Sequence, residues 1–243
     1  MLLRRFSQSL KQQNWTAIVI EFVLLVLGVF LGIQASNWNT ALIERRQAQA
    51  AMQRLQNDMQ LSFELTGYSM TFMAENARGA DLVFDSLRSC HLAEQDRDAF
   101  ATGLYRLGKI TPARFVRTTF DELRDSGRLD LIGDDNLRHA LNETARRQDS
   151  HEAVFRLIAA RTDPHMAYVD SNVIYLIHGT IGGDARIRWN QLDIDFAAAC
   201  KDRRLLAAVA AVRNYTYDDL ADVTRQQQRF EGILGLIKQE RAK

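Results

Sequence analysis

Ala17-Ile-Val-Ile-Glu-Phe-Val-Leu-Leu-Val-Leu-Gly-Val-Phe-Leu-Gly-Ile33 carries a single charge, Glu21, in seventeen residues, and Trp15 and Trp38 bracket it. Such a run reads as a helix that crosses a bilayer. From Trp15 to Trp38 at helical rise is about 34 Å, enough for a hydrocarbon core of about 30 Å with its interfaces. Tryptophan suits both ends, because its ring is apolar and its N–H needs water or a headgroup. The two tryptophans are therefore expected to anchor the span, with the lipid bilayer as the first partner of the chain.

Glu21 is costly inside this run, by a few kcal/mol at mid-depth and less near an end. At 100° per residue Glu21, Gly28, Gly32, Ala35 and Asn39 fall within about 40° of one line, so the polar and small residues share a face. Gly28 and Gly32 form a small-xxx-small pair, which allows two helix backbones to approach closely. Glu21, Gly28, Gly32 and Ala35 are thus the expected seam of a homo-oligomer. Arg4, Arg5 and Lys11 precede the span with no acid among them, whereas Glu44, Arg45 and Arg46 follow it. By positive-inside bias the N-terminus is cytoplasmic and the bulk lies outside. A cleaved secretory signal is the rival reading. The one small-residue cleavage position, after Ala35, has Ile33 at −3, which fits poorly and favours an uncleaved anchor.

The remaining chain is the size of one domain with a proper core. Of 243 residues, 31 are basic and 30 acidic, interspersed, so there is no basic footprint for nucleic acid. Only Pro112 and Pro164 interrupt a composition rich in helix formers. Ala41, Ala48, Met52, Leu55, Met59 and Ser62 keep a three–four spacing within a helix predicted from Ala41 to about Arg78, which residues 80–89 either extend past Gly79 or follow as a separate helix. Residues 94–107 read as another helix. Phe115, Thr119, Phe120 and Leu123 mark the face of a further one, which Gly127 would end. Asp134 is a good N-cap for a helix through Leu137, Leu141 and Ala145 toward Arg161. Asp163-Pro164 is expected to break it and start a separate helix carrying Tyr168, Val173, Ile174 and Ile177. Ile187, Trp189, Leu192 and Ile194 suggest one short extended piece.

Val209, Val212, Thr216, Leu220, Val223, Gln227, Phe230, Leu234 and Ile237 hold the clearest apolar seam outside the membrane, and it needs a helical partner. The helix 41–78 matches it in length. Antiparallel pairing would bring residues 78 and 202 together, with Cys90 and Cys200 nearby. In an oxidising compartment those two either bridge or remain as separate buried thiols.

Chemistry-bearing patterns are sparse. His91, His139, His151, His165 and His178 form no zinc signature, and His139 with Glu143 is a common pair on solvated helices. There is no C-x-x-C, and Gly179-Thr-Ile-Gly-Gly183 lacks the Lys-Ser/Thr of a phosphate-binding loop. No G-x-S-x-G elbow is present. Arg124, Asp125, Arg128 and Asp130 crowd one segment, either as a salt-bridged turn or as a contact site for a partner or ligand. No catalytic, cofactor or metal site is expected.

Two stretches, however, carry a family resemblance. Residues 14–46, with Glu21 opening the span and Gln34-Ala-Ser-Asn-Trp-Asn39 at its exit, resemble the N-terminus of an uncharacterised family of single-pass bacterial inner-membrane proteins. Thr119-Phe-Asp-Glu-Leu-Arg-Asp-Ser-Gly-Arg-Leu-Asp-Leu-Ile132, continued by Asn136-Leu-Arg-His-Ala-Leu141, resembles that family's central segment. The resemblance implies a bacterial inner-membrane anchor and marks Glu21, Asn37, Trp38, Ser126 and Gly127 as family features. It implies no catalysis.

The expected architecture is all-α: a cytoplasmic tail (1–14), a transmembrane anchor (15–38) and a periplasmic helical bundle (39–243). In it the helix that continues the anchor packs antiparallel to the C-terminal helix. The expected role is a non-enzymatic, self-associating scaffold that holds an unidentified envelope protein. The alternative is a sensor or ligand-binding bundle, which arginine and aromatic side chains turned into a pocket would favour.

Overall fold

The computed structural model describes the backbone of residues 15–177 and 186–242, with side chains except at 15–18, 151–155 and 159. The basic tail around Arg4, Arg5 and Lys11, the side chain of Trp15, and His178 with Gly179, Gly182 and Gly183 lie outside what is described. The fold is all-α. In chain order it comprises α1 (Trp15–Ser89), a 3-10 turn, α2 (Arg97–Arg106), α3 (Thr118–Asp125), a second 3-10 turn and α4 (Asp135–Asp170). Then come β1 (Ile174–Tyr175), a third 3-10 turn, β2 (Leu192–Asp193), α5 (Phe196–Ala199) and α6 (Arg203–Arg241). The chain divides into two compact units, 1–51 and 52–243.

In the first unit, α1 exposes its apolar side chains on every side: Phe22, Leu24, Leu25 and Leu31 are all more than 60% accessible. This N-terminal stretch is long and apolar enough to cross a membrane, and none of it is buried. Ala41 and Ala48 are only half-buried.

The second unit begins where α1 acquires a core, with Met52, Leu55 and Met59 buried. α1 runs on unbroken past Gly79 to Ser89. α6 packs antiparallel on it: Arg213 and Tyr217 bond Asp81, and Arg241 bonds Gln56. Between these ties Gln227 Nε2 sits 3.4 Å from where a Cβ on Gly67 would stand. The other flank of α6 packs against α4, with Glu240 beside Gly133 near the start of α4. This contact explains why Asp219 and Gln226, off the seam read from the sequence, are buried too. Asp134 caps α4 by accepting from Leu137 N at 2.9 Å, and Gly127 has φ +69° just after α3.

Three expectations are corrected. Pro164 does not break the chain: α4 is one helix from Asp135 to Asp170. A helix-interior proline costs roughly 3 kcal/mol, and the turns beyond it offset this by setting Val169, fully buried, into the core with Met166 and Tyr168 against it. Val173, Ile174 and Ile177 follow that helix, and Ile174-Tyr175 instead pairs antiparallel with Leu192-Asp193. Phe115 precedes α3 rather than sharing its face, since α3 opens only at Thr118.

The reason is an extended strap, residues 109–116, laid antiparallel along α1. Asn76 Nδ2 donates to Lys109 O (2.7 Å) and Ser69 Oγ to Pro112 O (3.1 Å). Thr66 Oγ1 accepts from Arg114 N (3.2 Å), Ser62 Oγ from Val116 N (2.8 Å) and Asp58 Oδ2 from Thr119 N (2.8 Å). The geometry closes: the seven extended steps from residue 109 to 116 span about 23 Å, and the fourteen helical steps from 62 to 76 span about 21 Å. Ser62, Thr66, Ser69 and Asn76 are all buried. They stand in for the neighbouring strand that an isolated extended segment needs for its backbone groups.

Candidate functional site

α1 and α2 cross at two glycines. A Cβ on Gly79 would lie 2.9 Å from Gly103 Cα, and one on Gly103 would lie 2.6 Å from Gly79 O. Only a residue without a side chain allows backbones this close. Beside the crossing opens a groove of about 750 Å³, lined by Glu75, Asn76, Arg78, Gly79 and Leu82 of α1, Asp98, Ala99, Thr102, Gly103 and Arg106 of α2, and Arg186, Ile187 and Arg188. An adjoining recess of about 290 Å³ shares Glu75, Arg106 and Arg186 with it and adds Tyr68, Thr71 and Phe72. The first volume lies within the usual range for small-molecule sites, roughly 300–1,000 Å³.

Its third wall is stitched to α2. Thr102 Oγ1 donates to Ile187 O (2.9 Å) and accepts from Ile187 N (3.2 Å), and Asp98 Oδ1 accepts from Trp189 N (2.7 Å). Ile187 and Phe100 are fully buried, and Phe100 meets Trp189 and Phe196 edge-on. With Ile187 pinned inward, the flanking Arg186 and Arg188 are exposed at the groove.

Arg106 is the unusual member. Its side chain is only 8% accessible; Nη1 bonds Glu75 Oε2 at 3.0 Å, and the guanidinium lies over the Phe72 ring. Its Nε, and Oδ1 of Asn76, are buried without a hydrogen-bond partner among the described residues. Nothing in the local sequence singled out Arg106, whose anionic partner stands 31 residues away. Gly79 and Gly103, each within a helical run, were the available signal, because an interior glycine often marks a close backbone approach.

The residues marked in the sequence fall elsewhere. Cys90 and Cys200, 110 positions apart in sequence, are paired with their Cα atoms 5.2 Å apart, a distance suited to a disulfide. Cys90 terminates α1 with φ +51°, and His91 N reaches back to Ser86 O (3.2 Å), the 6→1 bond of a Schellman ending. Arg124 is engaged locally, with Asp121 and Asp125 and over Phe120. Arg128 and Asp130 lie beyond it, around the second 3-10 turn. Glu21, Gly28, Gly32 and Ala35 share the exposed surface of α1, and a Cβ on either glycine would meet nothing within 4 Å. Trp38 is 74% accessible. His139 stands 3.9 Å from Glu143, which is also bound by Arg147; Arg147 holds its carboxylate below the usual range. Among the described residues no three His, Cys, Asp or Glu side chains gather as a metal site.

No family model, curated protein or solved structure matches this chain.

Proposed function

We propose that this chain is a single-pass protein of the bacterial inner membrane whose periplasmic helical domain works by binding rather than by bond-making chemistry. The observation that carries this reading is the N-terminal part of α1, apolar and exposed on all sides. In water such a surface is far larger than the apolar patches that soluble monomers carry; in lipid it needs no cover. The excess of Lys and Arg before the span supports an inward N-terminus. The resemblance of residues 14–46 and 119–141 to single-pass bacterial proteins supports the inner membrane. The open glycine face supports self-association through Glu21, Gly28, Gly32 and Ala35, and with it a scaffold that holds an envelope partner. The lack of any recognised catalytic pattern in the sequence supports a non-enzymatic role.

In-membrane crosslinking tests the reading, with single cysteines at Gly28, Val29, Phe30 and Leu31 in a background lacking Cys90 and Cys200. A maximum at Gly28 with falling yield at the other three is expected. Equal yields at all four positions would remove the self-association seam.

A second reading is favoured by the groove beside the α1–α2 crossing. Its volume, its apolar wall and the buried arginine in it suit a domain that takes up a small molecule and signals or responds at the membrane.

A further inference from the structure

We infer that the groove between α1 and α2 binds a small organic anion, its carboxylate or phosphate group held at Arg106. This rests on the ligand-binding reading of the domain and adds the chemistry of the ligand. Four arginines line the groove, Arg78, Arg106, Arg186 and Arg188, against two carboxylates, Glu75 and Asp98. Both carboxylates are engaged: Glu75 with Arg106, and Asp98 with the Trp189 backbone N–H. The lining thus carries a surplus of two positive charges, since four minus two leaves two.

A surplus of exposed arginines alone would be an ordinary cationic surface. Arg106 makes it a built site. A guanidinium offers five N–H donors in a planar fork, and burial makes each unmade bond costly. Arg106 is more than nine-tenths buried, yet Nε has no acceptor among the described residues, and its acidic partner Glu75 is itself 43% accessible. Arg106 lines both the groove and the adjoining recess, so an anion entering there would meet its guanidinium, which binds carboxylate or phosphate in bidentate geometry. Arg186 and Arg188 are held at the rim by the Thr102–Ile187 bonds, so the second layer of charge is positioned before a ligand arrives. Leu82 and Ala99, also in the lining, add apolar surface for the carbon skeleton. The same anionic chemistry is found on a soluble metabolite and on a lipid headgroup.

The test is calorimetric titration of the full-length protein in a neutral detergent. The probes are inorganic phosphate, citrate, and a short-chain phosphatidic acid below its micelle concentration. Saturable binding of at least one is expected. It should weaken at least tenfold in Arg106→Gln, at least threefold in Arg186→Gln/Arg188→Gln, and be unchanged in Arg204→Gln, whose guanidinium lies over Tyr168 away from the groove. Binding of citrate or phosphate assigns the groove to a soluble anion; binding of the lipid alone assigns it to a headgroup. Should Arg106→Gln fail to fold, the exposed double variant decides. Lack of binding by all three probes, or equal binding by wild type and the double variant, overturns the inference. Neither result bears on the membrane anchor, which crosslinking and extraction measure separately.

Discussion

Replacing Gly103 by alanine separates two opposing effects of one methyl group. In a helix interior the change is intrinsically favourable by about 1 kcal/mol, because alanine loses less backbone freedom on folding. At Gly103, however, the new Cβ would stand 2.6 Å from Gly79 O, 2.9 Å from its carbonyl carbon and 3.0 Å from its Cα. Those atoms are backbone and have no rotamer to yield. Relief requires α1 and α2 to part by something near 1 Å, which would loosen Phe100 and Leu104, both fully buried beside the crossing. Overpacking of this kind costs about 1–3 kcal/mol, and the clash with backbone places it at the upper end. The net expectation is a loss of roughly 1–2 kcal/mol. Gly232 on α6 is the control, since a Cβ there meets nothing within 4 Å; Gly232→Ala should gain up to about 1 kcal/mol. In a domain of this size 1 kcal/mol moves Tm by about 2–4 °C. Thermal unfolding of the full-length protein in neutral detergent, followed by circular dichroism at 222 nm, should place the two variants on opposite sides of wild type. A Gly103→Ala protein as stable as wild type would refute the close crossing, and with it the floor of the groove.

Ser62→Ala should leave the part-buried Val116 N–H without its 2.8 Å acceptor and cost about 1 kcal/mol, read as faster amide exchange at Val116 and a lower Tm. Cys200→Ser removes a link between residues 110 apart; loop-closure entropy sets its loss at about 4–5 kcal/mol at most, and the oxidised wild type should migrate faster than the variant on a non-reducing gel. Asp202 caps α6 through Arg204 N and Leu205 N. A hydrogen bond from Tyr168 is the largest cause of its depressed pKa, with those backbone bonds adding to it. A depressed carboxylate pKa contributes stability above the unfolded value, near 3.9, that is lost as pH falls through the folded value. Tyr168→Phe should therefore lower stability at pH 7 and converge with wild type in acid, measured by unfolding at pH 7 and pH 2.5.

The residues that announce the fold are those whose neighbours are close in sequence. The apolar run from Ala17 to Ile33, the seam from Val209 to Ile237, the Asp134 cap and the Gly127 terminator are all local patterns; the structure keeps the first as helix, buries most of the seam on α6, and forms the cap and the terminator. The antiparallel pairing of α1 with α6 follows from matching lengths and seams, but its register does not: Asp81 meets Arg213 and Tyr217, so residue 78 is not beside residue 202, which lies instead near the end of α1, where Cys200 meets Cys90. The strap does not follow either, because Ser62, Thr66, Ser69 and Asn76 read along the chain as polar interruptions of an apolar stripe. Only their bonds to residues 109–116 turn those interruptions into a ladder. Pro164 misleads for a related reason: its local cost is plain, while the burial of Val169 that offsets it is tertiary. The groove was the least legible feature. Glu75 with Arg106, Thr102 with Ile187 and Asp98 with Trp189 are joined across 31, 85 and 91 residues, and none of these pairs has a sequence signature.

Alkaline carbonate extraction of bacterial membranes bearing the full-length chain, followed by protease treatment of intact spheroplasts, tests the proposed membrane tether and its outward-facing domain. The protein is expected to stay in the carbonate-resistant pellet, and external protease to remove the helical domain without lysis. Release into the carbonate supernatant, or protection of the domain until the cells are broken, would contradict the proposal.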